Sequence, residues 1–399
     1  MSYDEKSKRK TLAIVTFSHL AQHFYAGLSI LYPNIMVDLN LNYTQLGIIT
    51  GISSTTSGFL QLLWSVLNRY IPRRTLLGIG NVFMSLGSLI TGTANQFTEL
   101  FGGHILSASG QAAQHPVGTS IVTDKFPDKE ASGALSIHYG IGYVGNIISP
   151  IILSSIAIVM GWRSAIYFLA LIPFITGLTV FFTLRGEPTA DKSIQRKGQS
   201  SLLRDIKTAI HLKSVVLIMA AQAFAVGGTG MGVIITYTPL FLKNNLGLGS
   251  FETSLIYSIA VAGGVIGTIA FGQLAKRFGN LPTAAAIIGT CSVLIVLLTL
   301  HASLSFILIA QLFMIGATSF SSSSLLQAHL ASISTPRQRD LLIGLFFTVG
   351  FGISSIWTTF TGLLIDTYNS FNPAWIFRAA LGSLAFLLII WASRQNTSD

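Results

Sequence analysis

The sequence predicts an all-α polytopic membrane protein of about twelve transmembrane helices, arranged as two pseudo-symmetric six-helix bundles. Three observations carry that expectation. Apolar segments of about 20 residues, each long enough to cross a bilayer core as a helix, recur along the whole chain. Basic residues fall in alternate connections. With Met1 on the cytoplasmic side, every one of the 24 Lys and Arg residues except Arg163, Lys243 and Arg378 lies on that side, the imbalance that fixes orientation during insertion. Only 10% of residues are charged and 51% are apolar, against roughly 25% charged in an average soluble domain. The expected location is the plasma (inner) membrane, multi-pass, with both termini cytoplasmic.

The first apolar run, at roughly 11–36, follows a basic stub and superficially resembles a signal peptide. It is too long for one, contains His19 and His23, and lacks a small-residue cleavage site, so it is expected to stay as the first helix. Five more spans are expected at roughly 44–67, 75–94, 98–123, 132–159 and 164–184. The polar stretch from Arg185 to Lys213 is the long break in hydrophobicity. Its Leu202, Leu203, Ile206 and Ile210 spacing predicts a short amphipathic helix on the inner surface. The second six spans are expected at roughly 215–241, 252–275, 282–300, 303–333, 341–364 and 373–391. The organisation is therefore a 1–184 N-terminal bundle, a 185–213 basic cytoplasmic linker and a 214–399 C-terminal bundle.

A net charge of +10 raises nucleic acid as a partner. The basic residues instead sit in short juxtamembrane clusters, Lys8-Arg9-Lys10 and Arg69 to Arg74, where they face anionic lipid headgroups. Expected partners are membrane lipids and a small-molecule substrate, with protons as a candidate coupling ion, no nucleic acid, and a monomeric chain. The single cysteine, Cys291, excludes an intrachain disulfide. No clustered nucleophile, metal set or phosphate loop is visible, so neither an enzyme nor a cofactor is expected.

The halves resemble one another. Gln45 to Tyr70 aligns with Thr253 to Phe278 at a constant offset, placing Asn68-Arg69-Tyr70 over Lys276-Arg277-Phe278. Gly140-Ile141-Gly142 and Gly350-Phe351-Gly352 correspond, as do Tyr32-Pro33 and Tyr237-Thr238-Pro239. Duplicated units of this kind put a binding site between halves that rock against each other, the architecture of a transporter.

These residues resemble the major facilitator superfamily over nearly the whole chain. Its signature loop after the second helix reads Gly-x-x-x-Asp-Arg-x-Gly-Arg-Arg. The second-half copy keeps Gly272, Arg277 and Gly279, with Lys276 where the acid belongs. The first-half copy has Trp64, Asn68 and Ile71 in place of Gly, Asp and Gly, and keeps Arg69, Arg73 and Arg74. Gly161-Trp162-Arg163 and Pro336-Arg337-Gln338-Arg339 are further family-like features. The resemblance implies gating loops at Asn68, Arg69, Arg73, Arg74, Lys276 and Arg277. With no acid at position 68, Asp124, Asp128 or Glu130 stands as the candidate ionic partner, or simply as a solvated loop acid.

Gly145 to Pro150 partly matches the Gly-x-x-x-Gly-Pro pattern of exporters, with Ser149 for the last Gly; generic close packing by small residues explains it equally well. His115-Pro116 with Gly118, and Gly133 to Ser136, look like the fosmidomycin-resistance type of exporter. Drug/proton antiporters usually carry an Arg in the fourth helix where this chain has Leu106. None of the 14 acidic residues lies near the middle of an expected span, which disfavours carboxylate-based proton antiport.

The expected membrane interior holds histidines and amides instead. His19, Gln22 and His23 are on the first span, Gln111, Gln114 and His115 on the fourth, His138 and Asn146 on the fifth. Counted from the inner ends, the four histidines lie roughly 12–18 Å deep, close to one layer. The second half offers Gln222, before the Gly227-Gly228-Thr229-Gly230 stretch where the helix is able to bend, and Gln327 and His329. Three readings remain open for the layer: substrate binding, proton carriage by imidazoles that titrate near neutral pH, or hydrogen bonds that join helices. His19 and His23 have metal-ligand spacing, but without a nearby carboxylate or thiolate no metal is expected. Arg378 is expected to snorkel to the outer interface.

The reading as a whole is a secondary transporter moving a small anionic or polar-neutral organic solute by alternating access, outward. The alternatives are a proton-coupled importer or facilitator of an organic anion, and a membrane sensor or scaffold.

Overall fold

The computed structural model describes residues 3–68, 70–126, 128–184, 213–334 and 336–395. The expected linker helix at Leu202–Ile210 and the gating residue Arg69 lie outside them, as do the side chains of Asp128, Arg337 and Arg339. Every regular element among the described residues is helical. Among the described residues, ten helical stretches are long and apolar enough to cross a membrane. Two other apolar segments are interrupted helices, and the π turn that interrupts one of them shapes the site described below.

The chain divides into two compact units, Met1–Leu41 with Ile52–Arg196, and Asn42–Gly51 with Lys197–Asp399. In the first, α1 (Tyr3–Phe24) passes through a 3₁₀ segment (Tyr25–Leu31) into α2 (Tyr32–Asp38). Pro33 lies in the first turn of α2, where its missing N–H costs no intrahelical bond. Then come α3 (Tyr43–Leu67) and α4 (Arg73–Thr93). The fourth apolar segment is α5 (Phe97–Gln111), a π-helical turn (Gln114–Gly118) and α6 (Thr119–Lys125). Pro116 lacks the N–H an α-helix would need there, and the wider turn absorbs the defect. The long α7 (Asp128–Met160) and α8 (Trp162–Thr183) complete the unit. α4 packs on α5 and α8, and α1 on α7. Its core includes Val15, Leu76, Ala113, Val117, Val122 and Val180.

A set of contacts at the expected outer face explains the Gly161-Trp162-Arg163 motif. Gly161 has φ 84, a conformation glycine adopts without strain, and it opens α8. Arg163 pairs with Asp38, donates to the Ala94 carbonyl at 3.0 Å, and lies 4.2 Å from the Trp162 ring centroid. Trp162 Nε1 donates to the same Asp38 carboxylate at 3.2 Å.

In the second unit, α9 (Lys213–Gly228) and α10 (Met231–Leu240) are separated at Thr229–Gly230, the bend expected from the glycine-rich stretch. They are followed by α11 (Ser250–Phe278), α12 (Asn280–Leu297), α13 (Phe306–Ile333), α14 (Pro336–Tyr368) and α15 (Asn372–Gln395). Gly316 faces the Ala260 carbonyl and Gly267 faces Ala317 so closely that a Cβ on either would collide, which sets the tight α11–α13 seam. Ile218, Ile288, Leu326, Phe346 and Ile389 are core residues of this unit. Residues 42–51 belong to it because Asp366 on α14 caps the start of α3: its carboxylate accepts the N–H of Tyr43 at 3.0 Å, and the N–H and hydroxyl of Thr44 at 2.7 and 2.5 Å.

Arg378 corrects an expectation. It does not snorkel but is fully buried on α15, where Gly227 and Gly228 bring α9 against it. Its Nε donates to the Gly227 carbonyl at 3.3 Å and its guanidinium lies 5.4 Å from the Trp375 ring centroid, while Nη1 and Nη2 have no hydrogen-bond partner among the described residues.

Candidate functional site

His19 and His23 are one turn apart on α1 and so share a face. The π turn presents His115 to the same place, and α7 supplies His138, Tyr139, Tyr143 and Asn146. The approach of α7 depends on Gly142 and Gly145. A Cβ on Gly142 would collide with the His19 ring, and one on Gly145 would press on the Leu20 carbonyl at 2.7 Å. Gly140, which the sequence groups with them, meets nothing within 4 Å.

The resulting cluster is tight. His19 stacks on His138 with ring centroids 4.4 Å apart, and meets His23 at 4.5 Å and His115 at 5.3 Å. Tyr139 edges the His19 ring at 5.1 Å and Tyr143 covers His23 at 4.6 Å. The hydroxyls of Tyr139 and Thr119 lie 2.8 Å apart, fixing the first tyrosine.

The tautomers follow from the partners. His19 Nδ1 lies 3.1 Å from the His138 carbonyl oxygen, which only accepts, so that nitrogen carries the hydrogen. His23 Nδ1 lies 3.1 Å from Asn146 Oδ1, also an acceptor. With the Asn146 amide accepting, both Nε2 atoms present lone pairs that face each other at 3.0 Å, an arrangement that suits a shared proton or a metal ion between them. With the amide turned over, Asn146 donates to His23 Nδ1 and the His23 Nε2–H donates to His19.

Other expected residues surround this centre. Gln114 is structural: Ser18 donates to its Oε1 at 2.7 Å, and its Nε2 donates to the Val15 carbonyl at 3.4 Å. Gln22 donates to the Gln111 carbonyl at 3.5 Å, which leaves the Gln111 side chain out of that bond. Gln22 Oε1 and His138 Nε2 are buried with no hydrogen-bond partner among the described residues. Polar atoms left in that state mark a place where water or substrate completes the bonding.

In the second unit Gln222 is buried and exchanges hydrogen bonds with Ser323 at 3.2 and 3.3 Å, under Gly350. Gln327 and His329 are half-buried on α13.

Among the residues expected in gating loops, Arg73 is buried and ties the start of α4 to α6 and to Asn68. It pairs with Asp124, and donates to the Ser120 carbonyl at 3.1 Å and to Asn68 Oδ1 at 3.3 Å. Glu130 lies 3.7 Å from Lys8. Arg74 is half-buried, while Lys276 and Arg277 are exposed in the last turn of α11.

Sequence reasoning missed four residues. Tyr139 and Tyr143 are one turn apart and so share a face of α7 next to that of His138, and that spacing was the available signal. His104 is buried with Nε2 unpartnered, three helical turns before His115. Arg378 was read as lipid-facing, because its burial depends on how neighbouring helices, α9 and α12 among them, pack on α15.

The Major Facilitator Superfamily profile matches residues 12–359. The chain is 24% identical to the "Probable L-galactonate transporter" of Escherichia coli (strain K12), over 94% of this chain and 86% of that one. It is 21% identical to the "Hexuronate transporter" of Bacillus subtilis (strain 168), over 92% of this chain and 89% of that one. Its fold superposes on a crystal structure of the nucleoside transporter NupG with a TM-score of 0.81 at 13% identity, covering 96% of this chain and 99% of that one. The fold and the polar layer define a multi-pass membrane transporter rather than an enzyme. The chain belongs to the Major Facilitator Superfamily.

Proposed function

We propose that this protein is a secondary transporter moving a small organic anion across the plasma membrane by alternating access, with twelve spans, both termini cytoplasmic, and the monomer as the working unit. The His19–His23 contact carries the reading: a part-buried pair of imidazoles with ring nitrogens 3.0 Å apart, in a layer without carboxylates, suits coupling of proton movement to an anionic cargo. The relatives named for L-galactonate and hexuronate, both carboxylates, support an acidic sugar derivative as substrate class. The amides of the same layer, Gln22 and Gln111, suit hydroxyl groups on such a cargo.

The expectation of outward transport rests on Gly145 to Pro150. That segment packs α7 against α1, a role compatible with either direction, so direction is read from vectorial flux. Proteoliposomes carrying an internal pH dye, offered galacturonate or galactonate at two external pH values, test the proposal. Substrate flux with proton movement that becomes uncoupled in His23→Ala or His115→Ala supports it. Flux without proton movement, with the variants altered only in apparent affinity, would make the histidines binding groups and the protein a facilitator or exchanger. No flux of any organic acid, with tight capture of a cytosolic protein, would favour a scaffold.

A further inference from the structure

The interest of the cluster exceeds a shared proton. One ring nitrogen from each of His19, His23 and His115 lies within 4.8 Å of the others, so α1 and the π turn converge three neutral donor atoms on one point. Tetrahedral Zn²⁺ at about 2.0–2.1 Å from each nitrogen needs nitrogens roughly 3.3–3.4 Å apart. The His19–His23 pair, at 3.0 Å, has to open by only a few tenths of an ångström, and His115 has to move inward. We propose that His19, His23 and His115 form a binding site for one borderline divalent transition metal ion of the Zn²⁺ or Co²⁺ class.

Three further features fit that chemistry. Metal-binding imidazoles coordinate through one nitrogen and donate the other N–H to an oxygen acceptor, which fixes ring and tautomer. His19 does this to the His138 carbonyl and His23 to Asn146 Oδ1, each at 3.1 Å. With Asn146 accepting from His23, the two Nε2 lone pairs point at each other across 3.0 Å, which suits a cation. The rings are also held in position by Tyr139, Tyr143 and the stacked His138, so little rotamer freedom is lost on coordination.

Three histidines are the ligand set of sites that keep a fourth position open. All three are neutral, so a bound dication keeps its full charge in a low-dielectric interior, where an unpaired charge is costly. The fourth ligand is therefore an anion, such as hydroxide or chloride. Hard oxygen-seeking ions are excluded by an all-imidazole donor set, which leaves Ca²⁺ and Mg²⁺ without their preferred ligands. The two-ligand spacing visible in the sequence fell short of a site because His115 reaches it only through the π turn.

The test is titration of full-length, tag-free protein in detergent with CoCl₂, following the visible ligand-field band of four-coordinate Co²⁺, then displacement by ZnCl₂. The expected result is one ion per chain, abolished in His23→Ala and His115→Gln, retained in His301→Ala, and weakened about 10- to 100-fold in Asn146→Ala, which removes only a ligand's hydrogen-bond partner. His301 bonds Gln311 at 2.8 Å, away from the cluster, and serves as the control. Thermal melting of each variant without metal separates a lost ligand from a lost fold. Absence of the band, or its persistence in a well-folded His115→Gln protein, would overturn the site. The inference does not rest on the organic-anion reading: hexuronate flux without Co²⁺ binding sinks the metal site alone, and Co²⁺ binding without organic-acid flux sinks the other.

Discussion

Asn146 holds His23 by accepting its Nδ1–H at 3.1 Å, and through that bond sets which nitrogen of His23 faces His19. Turned over, the same amide would donate to His23, and His23 would then donate to His19 with no cation needed. Asn146→Asp removes that alternative, since a carboxylate only accepts and also brings a negative charge. The expected outcome is Co²⁺ affinity raised at least about 10-fold over wild type, one factor of ten corresponding to about 1.4 kcal/mol. Equal or weaker affinity in Asn146→Asp would mean the amide donates.

Arg378 gives a stability prediction. A buried guanidinium with Nη1 and Nη2 unpartnered is expensive, and Met fills similar volume without the charge. Arg378→Met is expected to leave unfolding free energy unchanged or raise it by about 1–4 kcal/mol, read from denaturant unfolding in detergent. A large loss would show that the guanidinium holds an anion in the native protein.

The outer contacts predict a pH dependence. The hydrogen bond from Arg163 is the largest influence on Asp38 and, with attraction to the same guanidinium and the Trp162 N–H, holds its carboxyl below the usual carboxylate range despite partial desolvation. A lowered folded-state pKa means that the stabilisation is fully present above the unfolded value of about 3.9 and fades as pH falls through the folded value. Melting temperatures of wild type and Asp38→Asn should differ at neutral pH and converge in strong acid. A gap that widens on acidification would contradict this assignment.

Asp366 caps α3 through two N–H groups and a hydroxyl. Losing such a cap costs about 0.5–2 kcal/mol, so Asp366→Ala should lower stability by that amount, with Asp366→Asn retaining part of it. Hydrogen exchange at Tyr43 and Thr44 is the direct readout: unaltered protection in Asp366→Ala would remove Asp366 from the cap.

The spans were legible because hydrophobic length and the sign of flanking charge are local properties. Trp162 to Thr183, for example, nearly coincides with the apolar run read at roughly 164–184. The bend at Thr229–Gly230 was visible in its glycines. The histidine layer was legible in depth alone; that His19, His115 and His138 touch depends on helix rotation, which periodicity leaves undetermined across a π turn. Asn68 at the acid's position signalled a missing partner, yet only tertiary packing shows Arg73 reaching Asp124 instead. Arg378 was misread because one basic residue near a helix end is usually lipid-facing, and the faces of α15 are assigned by its neighbours.

The turn from Gln114 to Gly118 acts as a phase setting for the helix that contains it. Everything after it is rotated relative to α5, including Asp124, which meets Arg73 at the start of α4. Deleting one residue there would turn α6 by about 100° and carry Asp124 off the bearing of Arg73. The chemistry in the middle of the membrane and the ion pair at its edge are thus clocked by the same five residues.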